Sequence, residues 1–478
     1  MLFQFIMTKS LKKEMDMTSG NLLKKLFLFS LPIILSGELQ LLYNAADLIV
    51  CGKFGSKYSV GAISETGALI NLIIQLFLGL SVGANVLMSR CFGANLQEKG
   101  QRIAYTSMIM SVIIGVVIGV FGAFCSGYFL VWMSAPEAII GLSTQYLRIY
   151  FIGVPFSLIY NFGASLLRAV GDTRRPFYFL AVAGIFNVGF NLLFVIVFKM
   201  DVAGVALGTI LSQAISAGCI VVCLVRNKGF FKFSFKEMRF YKHEAIEIAR
   251  VGLPAGLQGA IFSLSNVLIQ SSVNDFGADT VNGNGAASSI EGFVYVTMNS
   301  VAQGCVAFVS ANYGAGNMKN VKKSVLYSTL FVCLFGVLFG GLVTVLAKPL
   351  LTVYIRSSGG VVAEEALEAG YSRLIVICLT YFLCGLMDVM AYAIRGIGYS
   401  LLPTIVSMIG ACGLRILWIY TVFEIEAMHT LQGLAISYPV SWLLTFAVNL
   451  LIFILLYKRK KRYFSQVKET DETVDEKN

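Results

Sequence analysis

The chain has 478 residues, of which 57% are hydrophobic and 13% are charged. Soluble domains are typically about 45–50% apolar and about 25% charged, so this composition excludes a soluble multidomain protein, a secreted disulfide scaffold and a disordered chain. The class that remains is an integral membrane protein. The 37 Lys and Arg residues exceed the 26 Asp and Glu residues, for a net charge of +11, which we interpret as loop topology and not as a nucleic-acid surface.

Twelve apolar segments are long enough to cross a bilayer, whose hydrocarbon core of about 30 Å needs roughly 20 residues of helix. They are predicted at 26–51, 59–89, 103–133, 143–167, 176–198, 203–225, 246–273, 283–311, 324–354, 369–394, 402–423 and 433–457. We assign 26–225 to an N-lobe of six helices and 246–457 to a C-lobe. Residues 1–25 then form an N-terminal segment, 226–245 a basic linker and 458–478 a tail.

The charges of the connecting segments alternate along the chain. Lys and Arg cluster in one set of loops, and acidic residues with few cations occupy the other set. Because basic loops remain in the cytoplasm, both termini are predicted to be cytoplasmic in a multi-pass protein of the plasma membrane. The basic clusters lie at 9–25, 90–102, 168–175, 226–242, 319–323, Arg395 and 458–462.

Short motifs of the first half recur in the same order in the second half. The pairs are Leu31-Pro32 with Leu253-Pro254, Phe54-Gly55 with Phe276-Gly277, Phe92-Gly-Ala with Tyr313-Gly-Ala, Tyr146 and Arg148 with Tyr371 and Arg373, Arg168-Ala-Val-Gly with Arg395-Gly-Ile-Gly, and Gly204-Val-Ala-Leu with Gly433-Leu-Ala-Ile. Six spans per half place both halves in the membrane in the same orientation. The predicted fold is an all-α integral membrane protein, with twelve transmembrane helices in two six-helix lobes related by a pseudo-twofold axis along the membrane normal.

The first predicted span contains two carboxylates, Glu38 and Asp47. An acid at the centre of a span costs about 2.5–3.5 kcal/mol, so it usually faces a cavity or a partner. At about 100° per residue, Glu38 points roughly opposite to the polar stripe that contains Asp47. This stripe comprises Ser36, Gln40, Tyr43, Asn44 and Asp47. The helix is therefore expected to lie between two cavities; the alternative is that Asp47 is a solvated acid near the outer end of the helix.

The fifth predicted span places Asn187 and Asn191 on one face, at positions i and i+4. The sixth carries a similar stripe of Thr209, Ser212, Gln213 and Ser216. One carboxylate with amide and hydroxyl oxygens is a ligand set suited to Na⁺, or to a proton on the carboxyl group. The alternative is ordinary hydrogen bonding between helices.

The second half repeats the architecture without repeating this site. The residue 222 positions after Asp47 is Ile269, and an offset of 227 pairs Asn187 and Asn191 with Leu414 and Trp418. We therefore expect ion coupling to reside in the N-lobe. Acids of the second half are Glu291 and Asp388, with Arg373 and Arg415 as candidate partners; they are cavity residues or halves of structural ion pairs.

The sequence lacks the residue patterns that several catalytic and metal-binding sites require. The ten cysteines form no CxxC pair, only two histidines are present, and no HExxH, GxSxG or P-loop pattern occurs. We expect neither an enzyme nor ATP-driven transport, and no cofactor apart from a coupling ion.

The ordered motifs resemble the multidrug and toxic compound extrusion (MATE) transporters. They are Leu31-Pro32 followed by Asn-Ala-Ala-Asp47-Leu-Ile-Val-Cys-Gly, Arg90-Cys-Phe-Gly-Ala, Leu167-Arg-Ala-Val-Gly-Asp-Thr with Pro176, and Gly204-Val-Ala-Leu-Gly-Thr. The resemblance implies an antiporter that exports amphipathic, often cationic compounds by alternating access, driven by Na⁺ or H⁺. It assigns cation coupling to Asp47, Asn187 and Thr209, with Asn191 standing where the family carries an aspartate. The same four residues would hold Na⁺.

A substrate cavity is predicted from the remaining polar residues of the spans. Its members are Glu38, Gln40, Asn44, Ser263, Asn266, Glu291 and Asp388. The expected partners are small molecules and membrane lipids, with no nucleic acid, and the expected functional unit is a monomer. A flippase for lipid-linked saccharides remains an alternative, with Arg148, Arg373 and Arg415 as phosphate-binding candidates, and so does a passive channel.

Overall fold

A computed structural model of the chain describes residues 14–56, 58–133, 135–227, 229–357 and 363–475, so that part of the predicted N-terminal segment and the last three residues of the tail lie outside it. The described residues form helices and no strand. Twelve of these helices are long and apolar enough to cross a membrane, which confirms the predicted number. They are α1 Leu22–Phe54, α2 Ser59–Gly93, α3 Gln97–Trp132, α4 Glu137–Ala169, α5 Arg174–Val197, α6 Asp201–Val225, α7 Lys242–Asn274, α8 Ala278–Gly314, α9 Met318–Val345, α10 Glu364–Ile397, α11 Leu401–Ile419 and α12 Leu431–Asp475.

Local sequence sets several helix ends. The side chains of Asn21 and Asn317 accept hydrogen bonds from the backbone N–H three residues later, and thereby cap α1 and α9. Gly398 ends α10 at a φ of 115°, a left-handed conformation that favours glycine.

The predicted end of one span was wrong. The ninth span was predicted to reach residue 354, but α9 ends at Val345 and a separate short helix, Ala347–Ser357, follows. The apolar run continues across this break, so hydropathy alone does not reveal it; Pro349 lies in the first turn of the short helix, where proline is tolerated. Within the predicted tail, α12 continues without a break to Asp475, because the Lys, Arg and Glu residues there favour helix.

Reciprocal contacts between the lobes confirm the pseudo-twofold axis. A methyl group on Gly93 of α2 would lie 1.8 Å from the carbonyl oxygen of Ala311 on α8, and one on Gly314 of α8 would lie 2.2 Å from that of Arg90 on α2. Gly93 and Gly314 occupy equivalent positions of the repeated motif. Each lobe therefore offers the same small residue to the other, as a twofold arrangement requires.

The lobes are packed together on the side of the molecule that carries the linker, here called the linker side. Gly79 and Gly83 of α2 pack directly on the backbone of Gly256 and Gly252 of α7. Among the described residues, the interlobe hydrogen bond that lies farthest from the linker side is the one that Thr297 Oγ1 donates to Glu38 Oε1. The space between the lobes is therefore closed at the linker side.

Residues 14–20 lie across this closed side. The carbonyl oxygens of Met17 and Thr18 accept hydrogen bonds from Asn312 and Asn320 at 2.9 and 2.6 Å, and Met17 is fully buried. The Glu14 carboxylate accepts from the backbone N–H of Phe230 in the linker at 2.6 Å, and burial raises the pKa of Glu14. The segment thus connects the linker to the C-lobe.

Candidate cation and substrate sites

Three helices of the N-lobe bring the four predicted cation-coupling residues together. Asn191 on α5 donates from Nδ2 to Asp47 Oδ1 on α1 at 2.5 Å, and Thr209 on α6 donates from Oγ1 to Asp47 Oδ2 at 3.4 Å. Asn187 completes the cluster, because its Oδ1 accepts from Asn191 at 3.4 Å and its Nδ2 donates to Thr209 at 3.5 Å. We call these four residues the N-lobe site.

The N-lobe site is buried and holds a single carboxylate. Asp47 is 7% exposed and Asn191 is fully buried. Within the described residues, no Lys, Arg or His nitrogen lies within 4.0 Å of Asp47. A buried carboxylate without a counter-charge requires a cation or a proton. Asn191 Oδ1 is buried without a hydrogen-bond donor, and this oxygen is a ligand of the kind that Na⁺ prefers.

Gly208 is a packing position beside the N-lobe site that the sequence analysis did not single out. A methyl group on Gly208 would lie 2.2 Å from Asn191 Oδ1, so the close approach of α6 to α5 depends on this glycine. Gly208 directly follows the repeated motif and precedes Thr209, but its role becomes visible only when α5 and α6 are packed together.

π-helical turns change the predicted correspondence between the lobes. The turn in α5 spans Leu193–Val197, after the two asparagines, whereas the turn in α11 spans Met408–Gly413, before the positions that should match them. A π-helical turn adds about one residue to a helix. The counterpart of Asn187 is therefore Arg415, and the predicted pairing with Leu414 was wrong.

The other counterparts follow from the motifs. The offset of 229 between Gly204 and Gly433 pairs Thr209 with Tyr438 and Ser212 with Ser441. Both serines donate to the carbonyl oxygen three residues earlier, at 2.8 Å in each case. The C-lobe counterparts of Asp47, Asn187 and Thr209 are thus Ile269, Arg415 and Tyr438.

These C-lobe residues border a cavity of about 370 Å³, here called the C-lobe cavity. The predicted cavity residues Ser263, Asn266, Glu291 and Asp388 line it, as does Gln75 of α2. Glu291 is both a cavity residue and half of an ion pair.

The ion pair joins Glu291 of α8 to Arg373 of α10 in two parallel hydrogen bonds. Arg373 Nη2 and Nε donate to Glu291 Oε1 and Oε2 at 2.6 and 3.1 Å, and Nη1 donates to Asn284 Oδ1 at 3.0 Å. Both charged residues are buried, and their opposite charges neutralise each other within the lobe.

A second cavity of about 310 Å³, here called the interlobe cavity, lies between the lobes. Gln40 lines it, and Asp388 lines both cavities. Two of the predicted cavity residues line neither: Glu38 accepts a hydrogen bond from Thr297, and Asn44 is exposed.

Arg168 and Arg395 also line the interlobe cavity, although the sequence analysis treated them only as motif and loop residues. Arg168 Nη1 donates to Gln303 at 3.3 Å and Arg395 Nη2 to Gln258 at 2.5 Å. The described residues contain no group of three or more His, Cys, Asp or Glu side chains that could hold a metal ion.

Comparisons with known proteins agree with this architecture. The sequence model of the family described as MatE matches residues 32–193 and 254–421, once in each lobe. The probable multidrug resistance protein YpnP of Bacillus subtilis is 32% identical over 406 residues, which cover 84% of this chain and 89% of that protein. The multidrug export protein MepA of Staphylococcus saprophyticus is 21% identical over 309 residues, covering 64% and 68%.

Solved structures share the fold. The outward-facing structure of a multidrug resistance MATE family transporter superposes with a TM-score of 0.86 at 21% identity, covering 93% of this chain and 97% of that one. Together with the duplicated six-helix lobes and the twelve membrane-spanning helices, these matches show that the chain is a multi-pass membrane protein of the MATE family of multidrug efflux transporters.

Proposed function

We propose that the protein is a cation-coupled antiporter that exports amphipathic small molecules by alternating access. The N-lobe site carries the proposal, because it holds a buried carboxylate with one orphan amide oxygen and no counter-charge among the described residues. A Na⁺ ion or a proton that binds there removes a desolvated negative charge. Binding would therefore change the energy of the arrangement of α1, α5 and α6 that surrounds the site, relative to the other arrangement of the alternating-access cycle.

The closed linker side supports an orientation for the transport cycle. If the basic loops face the cytoplasm of a plasma-membrane protein, the arrangement with the lobes joined there is open to the outside. The cation would enter the N-lobe site from outside and release bound substrate. Its loss to the cytoplasm after the lobes rock would reset the carrier, and a monomer contains all of these parts.

Proteoliposomes test the proposal. Uptake of a fluorescent amphipathic dye is measured against its gradient while either the Na⁺ or the H⁺ gradient is dissipated, and the agent that stops uptake identifies the coupling ion. We expect Asp47→Asn to abolish gradient-driven transport, since the neutral amide cannot exchange a cation or a proton. Undiminished uptake by this variant would overturn the proposal.

Asp201→Asn is a matched control in the same lobe. Asp201 lies at the start of α6, where its carboxylate accepts hydrogen bonds from Ser59 and from the backbone N–H of Ser56, away from the N-lobe site. Asp201→Asn should therefore retain coupled uptake. Equal losses of uptake in both variants would indicate general damage to the lobe and not a specific loss of cation coupling.

Arg168 and Arg395 favour a second candidate, a flippase for lipid-linked saccharides, because two cations line the interlobe cavity. Each of them is bound to a glutamine, and about 310 Å³ is small for such a substrate. Translocation of a polyprenyl diphosphate saccharide across vesicles, with no cation-driven dye uptake, would favour the flippase.

A further inference from the structure

Arg415 is a buried cation that its surroundings leave without a counter-ion. It is 6% exposed and lines the C-lobe cavity. Its Nε donates to Ser441 Oγ at 2.9 Å, and its guanidinium carbon lies 4.1 Å from the centre of the Tyr438 ring. Within the described residues, no carboxylate lies within 4.0 Å of it, and its two terminal amino groups donate no hydrogen bond. Four donor hydrogens are thus available at the cavity.

The other cation of the C-lobe cavity, Arg373, already has a partner. Arg373 and Glu291 neutralise each other in their two hydrogen bonds. Asp388 accepts from Asn299 at 3.5 Å, and among the described residues no Lys or Arg nitrogen lies within 4.0 Å of its carboxylate. Arg168 and Arg395 differ from Arg415, because each donates a terminal amino group to a glutamine. Of the two arginines that line the C-lobe cavity, Arg415 is therefore the one whose guanidinium forms no ion pair among the described residues.

The shape and walls of the cavity indicate the kind of anion that fits. A planar guanidinium binds carboxylate or phosphate oxygens through two parallel hydrogen bonds. A volume of about 370 Å³ exceeds that of an inorganic ion. Aromatic side chains provide apolar contact area beside the charge. They are Phe262, Tyr295, Tyr381, Tyr438 and Trp442.

We propose that Arg415 anchors an anion subsite in the C-lobe cavity, which takes the carboxylate or phosphate group of an amphipathic small molecule. The pseudo-twofold axis places Arg415 where the N-lobe has Asn187, and Ile269 where it has Asp47. The two lobes thus carry sites of opposite charge at equivalent positions. This proposal rests on the proposed export function. It implies that the exported substrates are anionic or zwitterionic and not mainly cationic.

Binding of a matched pair of probes tests the subsite. Dansylglycine carries a carboxylate, and dansylglycinamide is its neutral amide with the same aromatic body. Binding of each to the full chain in lipid nanodiscs is measured by dansyl fluorescence, with protein-free nanodiscs subtracted. We expect dansylglycine to bind the wild type about tenfold or more tightly than the amide, as charge-assisted hydrogen bonds imply. Equal binding of the two probes would overturn the proposal without the use of any variant.

Variants locate the preference at one residue. Arg415→Gln should abolish the difference between the probes and Arg415→Lys should retain part of it, whereas Arg148→Gln, at an exposed position of α4, should leave it unchanged. A preference that persists in Arg415→Gln would refute the assignment. So would displacement of dansylglycine by inorganic phosphate at millimolar concentration, which would mean that the site takes a free ion.

Failure of this subsite is distinguishable from failure of the proposed function. Asp47→Asn should keep the probe preference while it loses gradient-driven uptake, because the two sites lie in different lobes. Loss of the preference in Asp47→Asn would contradict an independent C-lobe subsite.

Discussion

The two lobes share one backbone design but carry opposite charges in equivalent sites, on residues that do not correspond to each other. In the N-lobe site, a lone carboxylate is surrounded by neutral oxygen and nitrogen groups. In the C-lobe, Ile269 replaces Asp47, Arg415 replaces Asn187, and a separate ion pair of Glu291 with Arg373 stands nearby. Duplication preserved helix packing and allowed the interior chemistry to diverge. Packing depends on glycines and small residues, whereas chemistry depends on a few polar side chains.

The largest expected effect concerns Arg373, whose counterpart by repeat is Arg148. Arg373→Gln leaves Glu291 buried without its cation, and we expect the protein to lose about 3–5 kcal/mol of stability. Arg148→Gln, at an exposed position, should change stability by less than about 0.5 kcal/mol. Thermal unfolding in detergent compares the two. Equal effects would mean that the ion pair does not distinguish the lobes.

The next prediction exchanges a residue between the lobes. Gly208 corresponds to Ser437, and a side chain at 208 would displace the Asn191 amide from Asp47. We expect Gly208→Ser to weaken cation-driven uptake about tenfold, which is about 1.4 kcal/mol. Uptake at varied cation concentration measures this loss. The reverse change, Ser437→Gly, should have little effect; if it equals Gly208→Ser, the loss would come from helix packing.

Within the N-lobe site, the two asparagines should differ. Asn191 contacts Asp47 directly at 2.5 Å, whereas Asn187 contacts Asn191 and Thr209 at 3.4 and 3.5 Å. Asn191→Ala should therefore reduce cation affinity about tenfold and Asn187→Ala about threefold, as expected for a charge-assisted and a neutral hydrogen bond. Cation titration of uptake checks the order. A larger loss in Asn187→Ala would place the cation nearer to that residue.

The smallest expected effect comes from an acid placed at the C-lobe position that corresponds to Asp47. Ile269→Asp adds a carboxylate to the cavity that Arg415 lines, so it should weaken dansylglycine binding about threefold by competing for the guanidinium. Ile269→Asn is the neutral control and should cause a smaller change. If both variants bind dansylglycine as the wild type does, Ile269 does not share the electrostatic environment of Arg415.

Some of the site was readable from spacing along single helices. Asn187 and Asn191 lie four residues apart and share a face, and Asp47 lies on a polar stripe of its own helix; these are local patterns with a fixed period. The register of α11 was not readable, because a π-helical turn changes the helical period without a distinctive sequence. The sequence did not identify the ion-pair partner of Glu291, for another reason. Arg373 and Arg415 were both candidates, and the choice depends on how α8, α10 and α11 pack.

The amino-acid sequence by itself determined the membrane class, the twelve helices, the duplication and the family resemblance. These properties follow from hydropathy, loop charge and motif order, which are sums or periods along the chain. Only the tertiary structure decided that, among the described residues, Asp47 has no counter-charge, that Arg373 pairs with Glu291 while Arg415 pairs with no carboxylate, and that the lobes are joined at the linker side. Each of these depends on distances between side chains that are far apart in sequence, and it is those distances that determine whether a buried charge is paired.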